Sequence, residues 1–321
     1  MRRSSVDSSP HAPHLDQHIA YIEKMVNKGG PDPSDYASFQ RWLREVAKEH
    51  RSGDLSEEDL AILREAFGDA LSSETLQGFC LKKPHGYAGD FETIDQLYTQ
   101  HVTDTSGCEK WDVFFQAREA ARAVRNRKQY FIRLMEALEA AFPDRETLPV
   151  LNIASGPARD VFEFFDSNGH NQSVRFECVD NDPEAIDYAQ QLCEPYLNRI
   201  QFVETNALRY QPETSFQVAW SAGLFDYLSD KGFQFLLEHM LAALRDDGEL
   251  VIGNFSPRNP TRDYMEAMLD WHLHYRTEEK LIELAKGCGV PDEDIRVDAE
   301  PEGINLFLHV KRGDRFLDLH G

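Results

Sequence analysis

Cysteine is scarce and badly placed for cross-linking. The chain of 321 residues has five: Cys80, Cys108, Cys178, Cys193 and Cys288. They are odd in number and widely spaced, and no two stand as a CxxC pair. This disfavours a disulfide framework and a zinc cluster, and it fits reduced thiols in a cytoplasmic protein. Long apolar runs are also missing. No stretch approaches the roughly 18 residues that a membrane span needs. The opening MRRSSVDSSPHAPHLD has two arginines with no apolar segment behind them, which is not a secretory signal. Residues 1–14 read as a disordered polar tail. Positive charge is in deficit: Lys and Arg number 34 against 56 Asp and Glu, a net charge of −22. Nucleic-acid binders draw most of their affinity from basic contacts to phosphate, so this balance disfavours DNA and RNA. No GxSxG elbow supports a hydrolase, and no His/Cys/Asp spacing supports a metal.

What is present is globular, with 41% hydrophobic and 11% aromatic residues. Residues 15–75 read as helices. Ile19, Ile22, Met25 and Val26 mark one face, Tyr36, Phe39, Trp42, Leu43 and Val46 the next. Ser56 with Asp59 opens a third helix. Residues 79–92, FCLKKPHGYAGDFE, hold two glycines and a proline and read as a structured loop. A long helical pattern runs from Trp111 to Phe142. It carries Arg118, Arg122, Arg125, Arg127, Lys128 and Arg133, a basic stripe read as a solvated face with one arginine turned inward.

From Leu148 the texture changes. Strand-length apolar runs at 149–154, 174–180, 200–205, 216–222 and 248–255 alternate with helical patterns. That implies a parallel sheet covered by helices on both faces. A long helical stretch at 261–287 follows, and runs at 295–302 and 305–312 close the chain as an antiparallel hairpin.

The ends of the expected strands carry the chemistry. In VLNIASGPARDVFEFF (150–165), Ala154, Ser155, Gly156 and Ala158 form a small-residue turn into a helix, where backbone can approach a ligand closely. The glycines of a dinucleotide fingerprint are absent. Asp160 places a carboxylate where an ammonium suits better than a phosphate. The second strand ends in VDND, with Asp180 standing 24 positions after Gly156 and Asn181 beside it. An acid about 20 residues on can accept ribose hydroxyls. Asp182-Pro183 opens the next helix, so one of the two acids is structural. Asn206, Ala207 and Leu208 follow the third strand and suit an adenine edge. Ser221, Ala222 and Gly223 follow the fourth and can line the ligand, with Phe225, Asp226 and Tyr227 facing a substrate.

Together these motifs resemble a class I S-adenosylmethionine-dependent methyltransferase over about 148–312. One position departs: Asn152 stands where an acid is usual in the first motif. The segments KPHGYAGDFETIDQLY (83–98), GNF (253–255) and NPTRDYMEAMLDWHLHYRT (259–277) resemble a bacterial group that makes 3-hydroxypalmitate methyl ester. The resemblance implies an α/β fold, a seven-stranded Rossmann-like sheet ending in an antiparallel hairpin. Residues 15–145 would form a helical cap or lid and 146–321 the S-adenosylmethionine-binding catalytic domain. Lys83, His85, Tyr87, Asp90 and Tyr98 would form a loop over the cofactor, with aromatic faces that attract a sulfonium by roughly 0.5–2 kcal/mol each. Tyr264, Met268, Trp271, His272 and Tyr275 fall at helical spacings, some of them facing the pocket.

The expected reaction is methyl transfer to a small molecule, best a carboxylate such as a hydroxy fatty acid. A carboxylate needs no general base. Tyr98, Asn254, Tyr264 and Tyr275 are the candidate catalytic residues, with Arg276 a neutralising group. Arg122 or Arg125 would clamp a carboxylate, as guanidinium forks do. Cyclisation of S-adenosylmethionine to azetidine-2-carboxylate and methylthioadenosine is the alternative, and an inert partner-binding module a third reading. The helical cap offers a surface for a homo-oligomer.

Overall fold

A computed structural model describes residues 14–168 and 173–319. The tail expected at 1–14 lies, except for His14, outside the described residues. In chain order the helices α1 (Leu15–Asn27), α2 (Tyr36–Ser52), α3 (Glu57–Glu65), α4 (Leu76–Lys82), α5 (Phe91–Thr99), α6 (Glu109–Gln116) and α7 (Glu119–Ala141) come first. Then follow β1 (Leu148–Ile153), α8 (Arg159–Asn168), β2 (Val174–Asp180), α9 (Pro183–Leu192), β3 (Ile200–Glu204) and β4 (Phe216–Ser221). The chain ends with α10 (Asp230–Ala242), β5 (Leu244–Phe255), α11 (Arg262–Leu269), α12 (Glu278–Gly287), β6 (Ile295–Ala299) and β7 (Asn305–Lys311). No described helix is long and apolar enough to cross a membrane.

The chain forms two compact units that interleave in sequence. The first comprises the described part of Met1–Gly89, with His101–Arg118 and Thr261–His272. It is helical, built from α1–α4, α6 and α11. Its core is aromatic: Phe39 stacks on Trp42 at 5.4 Å, meets Phe114 edge-on at 5.0 Å, and Phe67 packs on Trp111 at 5.5 Å. Ser56 and Asp59 form the expected capping box of α3. Asp112 is fully buried, and each of its oxygens accepts a backbone N–H, from Leu76 and Thr103, both at 2.8 Å. A buried carboxyl so placed fixes two chain segments at once.

Three helical expectations are corrected in detail. The 111–142 pattern is two helices, not one. At the end of α6 the N–H of Arg118 bonds Phe115 O at 2.9 Å, and its side chain donates to Phe114 O at 3.1 Å. The side chain thus takes a carbonyl that a continuing helix would need. The 261–287 stretch is also two helices. Asp270 turns left-handed (φ 49°), the Trp271 N–H closes on Met265 O at 2.9 Å, and Lys83 Nζ reaches Asp270 O at 2.8 Å. Trp271, His272 and Tyr275 therefore share no helix with Tyr264. Residues 79–82 continue α4 rather than forming loop, because Thr75 caps that helix by accepting Gly78 N–H and Lys83 (φ 49°) ends it.

The second unit comprises the described residues of Asp90–Gln100, Glu119–Pro260 and Leu273–Gly321. Its seven strands run in the order β3-β2-β1-β4-β5-β7-β6. β1 to β5 are mutually parallel, and β7 pairs antiparallel with both β5 and β6. This is a Rossmann-like seven-stranded sheet with a terminal antiparallel hairpin, as the sequence implied. The parallel strands are apolar on both faces, as burial on both sides requires. One face packs on α7 and α8 through Phe131, Leu134, Phe164, Phe176, Trp220 and Phe307. The other packs on α10 and α12 through Phe225, Phe233, Leu237, Leu281 and Leu308. The order reverses beside β1, so β1 and β4 part at their carboxyl ends and open a crevice there.

A glycine tests the packing of the helical unit. A Cβ on Gly78 would lie 1.9 Å from Ser72 O. Replacing a helix-interior glycine by alanine normally stabilises by about 1 kcal/mol. Gly78→Ala should instead cost about 3 kcal/mol or more in urea unfolding, as backbone has to move. Gly232→Ala, whose Cβ would meet nothing nearer than 3.5 Å, should be neutral or stabilising.

Candidate active site

The crevice begins where β1 ends. Ala154, Gly156 and Ala158 all take positive φ, at 56°, 52° and 50°. Two of them bear a Cβ, so the turn holds strain of the kind that gathers at ligand sites. Its backbone is fixed from the neighbouring strand. Ser155 N–H donates to Val179 O at 3.2 Å, and Gly156 N–H to Asp180 Oδ2 at 2.8 Å. Asp180 Oδ1 accepts from Asp182 N–H at 3.1 Å. Burial pushes the Asp180 carboxyl up, and these N–H groups pull it back. A carboxylate has about four acceptor positions, so Asp180 keeps capacity for a ligand. Asp182 caps α9, its carboxylate accepting Glu184 N–H at 2.9 Å. Asp182 is thus the helix cap that the sequence expected of one of the two acids.

Beyond the turn, α8 starts with Arg159 and Asp160. Arg159 is gripped by Asp95 of α5, with Nη2–Oδ2 at 2.9 Å and a second bond from Nε, and Tyr188 OH donates to the same carboxylate at 2.6 Å. This clamp holds α5 against the β1 turn, where Phe91 faces Gly156. Asp160 is buried, and its Oδ1 accepts Val161 N–H at 2.9 Å. Burial pushes its carboxyl up to about 6, against the pull of that N–H and of Arg127.

After β3, Asn206 Oδ1 accepts Leu208 N–H at 2.9 Å, Ala207 packs on the sheet, and Leu208 is exposed. After β4, Ser221 and Ala222 lead to Gly223. Phe225 is a core residue, edge-on to Phe233 at 4.7 Å. Asp226 is buried, accepts Phe255 N–H at 2.7 Å and Asn254 Nδ2 at 2.9 Å, and is pushed up to about 7 by burial. Asn254 has both ends engaged: Nδ2 also faces His274 O at 3.0 Å, and Oδ1 accepts Arg276 Nη1 at 2.8 Å. Arg276 in turn donates to Phe225 O, Leu228 O and Asp230. In this arrangement Asn254 and Arg276 brace the β4 loop, and Tyr275 lies between Arg276 and His274 in the same unit.

Tyr98, Arg125 and α7 belong to this unit too. Arg125 is half-buried, and Arg122 pairs with Glu302 at 2.6 Å. Tyr264 and Tyr87 belong to the helical unit. Tyr264 is buried there, with its hydroxyl donating to Gln77, and Tyr87 is exposed.

The stripe on α6 and α7 corrects the expectation most. Arg118, Arg127 and Lys128 are all buried, not one arginine. Arg127 Nε donates to Tyr98 OH at 3.2 Å and Nη1 to Ala222 O at 3.1 Å. A Cβ on Gly223 would lie 3.4 Å from Nη1, so the glycine leaves room for the guanidinium. Sequence reasoning passed over Arg127, yet it stands between Val124 and Phe131 on the apolar stripe, which is the signal.

Three buried polar atoms lack a partner here: Asn152 Nδ2, Ser155 Oγ and Ser221 Oγ. They sit at the carboxyl ends of β1 and β4. Unpaired buried polar atoms are costly, and their gathering at one edge fits a polar ligand.

Residues 150–248 match a family model described as a methyltransferase domain. No curated protein matches the sequence. Among solved structures, a possible exported protein from Bordetella parapertussis is 17% identical, over 97% of this chain and 99% of that one, with a TM-score of 0.58. A 1,6-didemethyltoxoflavin-N1-methyltransferase from Burkholderia thailandensis is 20% identical over 71% and 92%, TM-score 0.44. A magnesium protoporphyrin IX methyltransferase from Synechocystis PCC 6803 is 13% identical over 70% and 99%, TM-score 0.46. The chain thus carries a match to a methyltransferase domain at residues 150–248, and the cofactor of such a domain is S-adenosylmethionine. The left-handed turn, the acid after β2 and the unpartnered atoms of Asn152, Ser155 and Ser221 fit that molecule.

Two predictions concern the acids. Asp180→Ala should raise the dissociation constant of S-adenosylhomocysteine at least tenfold by calorimetry, and Asp180→Asn by less. Unchanged binding would dismiss the site. Asp160 must be ionised to pair an ammonium, so affinity should fall by up to about tenfold per pH unit below about 6. Asp160→Asn should flatten that profile. The stability linkage has its own sign. The folded carboxyl sits above its usual 3.8, so its contribution is fully present below 3.8 and is lost as pH rises through about 6.

Proposed function

We propose that the protein transfers a methyl group from S-adenosylmethionine to a small-molecule carboxylate, with a hydroxy fatty acid as the leading acceptor. The observation that carries the carboxylate reading is Arg127. It is a buried guanidinium facing the β4 end, and no described carboxylate lies within ion-pair distance of it. An anionic oxygen supplied by the acceptor would complete it. The resemblance of 83–98 and 253–277 to the makers of 3-hydroxypalmitate methyl ester supports the same choice.

The bound cofactor supplies an electrophilic methyl on a sulfonium. In the proposed arrangement Asp180 and the Gly156 turn hold its nucleoside, and Asp160 takes its ammonium. Arg127 fixes the acceptor carboxylate, and Tyr98 fixes Arg127. Holding an already anionic nucleophile in line is then the chief source of rate. Asp226, which burial raises to about 7, does not compete at full charge for the guanidinium. The odd number and wide spacing of the cysteines support a cytoplasmic location. DNA and RNA remain poor partners for a chain of charge −22.

Incubation with S-adenosylmethionine and a panel of fatty and hydroxy acids, followed by chromatography, decides the reading. Methyl ester and S-adenosylhomocysteine are expected in equal amounts. Methylthioadenosine formed without any acid would replace the proposal by cyclisation of the cofactor. Release of neither nucleoside across carboxylate, amine and hydroxyl panels would overturn methyl transfer.

A further inference from the structure

The strongest unexplained feature is a second polar patch on the same sheet edge, away from the nucleoside end. Strand alternation puts Trp220, Val251 and Phe307 on the sheet face that packs on α7. Two residues on along each strand, Ala222, Gly253 and Asn305 share that face. Asn305 pairs with Phe255, so it lies at the carboxyl edge of β5. A Cβ on Gly253 would lie 2.8 Å from Ala222 O and 3.1 Å from Asn305 Nδ2. The missing side chain thus lets the Asn305 amide lie across the strand, next to the carbonyl that receives Arg127.

Asn305 is fully buried. Its backbone N–H donates to Glu300 Oε1 at 3.1 Å, and its Nδ2 to Leu306 O at 3.2 Å. Its Oδ1 has no partner. A buried carbonyl oxygen without a donor is costly, and an apolar residue of similar size at this position of the strand would avoid it. An apolar substitution would keep the packing. Besides its donor to Leu306 O, the amide thus adds an unpartnered acceptor on the sheet edge where the guanidinium is also held.

We infer that Asn305 and Arg127 form an acceptor subsite over Gly253 that selects a carboxylate bearing a hydrogen-bond donor, a hydroxyl or an amine. Arg127 takes an anionic oxygen, and Asn305 Oδ1 accepts from the donor. The inference rests on the carboxylate reading above and narrows it. Sites built to pair a substrate donor reject the analogue lacking it, because the protein's own polar atom is then left unpaired. Asn305 is thus a specificity residue, silent towards the cofactor.

The test uses calorimetry on the full-length protein saturated with S-adenosylhomocysteine. The probes are a straight-chain eight-carbon acid and its 2-hydroxy, 3-hydroxy and 3-amino analogues. At least one donor-bearing acid should bind tenfold or more tightly than the plain acid. Asn305→Leu should bring that ratio close to one while S-adenosylhomocysteine affinity stays within twofold. Asn305→Ser, which keeps an oxygen, should retain part of the preference and guards against a folding defect. Arg127→Met should weaken all the acids alike. A ratio unchanged in Asn305→Leu, or no preference in the wild type, overturns the subsite. Loss of S-adenosylhomocysteine binding in Arg127→Met with the acids unaffected assigns the guanidinium to the cofactor and also overturns it. The parent reading fails separately: donor-selective binding without ester formation would leave the subsite standing and remove carboxylate methylation.

Discussion

A guanidinium taken out of water costs several kcal/mol unless its hydrogens find acceptors. Arg127 meets that demand with a tyrosine hydroxyl and a strand-end carbonyl rather than a carboxylate. Much of the sheet unit follows from keeping those two partners in place. Tyr98 has to come from α5, so α5 must dock with the sheet although its neighbours in sequence belong to the helical unit. Asp95 secures it by gripping Arg159 and Tyr188. Gly223 must lack a side chain, since the guanidinium occupies that space. Helix α7 must not rotate, and an aromatic layer one turn below Arg127 prevents this. Tyr130 stacks on Phe307 at 3.8 Å, and Phe131 packs on Trp220 at 5.3 Å.

Below that layer lies a second polar chain, and it explains how α7 keeps its register. Tyr130 OH meets His309 Nε2 at 2.6 Å and donates to Asp298 at 3.0 Å, while His309 Nδ1 meets Glu249 at 2.5 Å. The other Glu249 oxygen accepts Leu317 N–H at 2.7 Å. Every member of this chain has a partner, so it specifies one arrangement of α7, β5, β7 and the C-terminal segment. The upper layer differs in kind. Asn152, Ser155, Ser221 and Asn305 each keep an unpaired atom there. Four buried polar atoms without a partner thus gather at one edge, and that gathering, more than any single residue, supports the edge as the proposed binding surface.

The sheet was readable because its signals are local. Each strand announces itself by an apolar run of the right length, and Asp180, Asp182 and Gly156 stand at strand ends where backbone geometry leaves little choice. The helical breaks were not readable, because they depend on side chains reaching backbone. Arg118 ends α6 by capturing Phe114 O, and Lys83 helps end α11 from 187 residues away. Periodicity runs through both breaks without a glycine or proline to stop it. Asn254 and Arg276 illustrate the opposite failure. Their types and places suited a ligand, yet each found several acceptors or donors around the β4 loop, a competition that only the folded chain reveals. Asn305 was invisible for a further reason. As one polar residue in a strand facing a helix, it has no motif, and its meaning lies in an atom with nothing to bond.

The charge of −22 gives these local choices their sense. An acidic protein repels carboxylates at long range, and with a screening length near 8 Å in physiological salt the remedy must be close to the site. Exposed lysines would be of little use, since water and salt weaken them. A buried guanidinium is different, because low dielectric strengthens its pull on a nearby anion. The same burial raises Asp226 to about 7, which reduces the negative charge that this neighbouring acid would otherwise present. Desolvation thus acts twice in one direction: it sharpens the positive group and mutes a negative one. On the proposed reading, a surface that is hostile to acids in this way holds a site that accepts one.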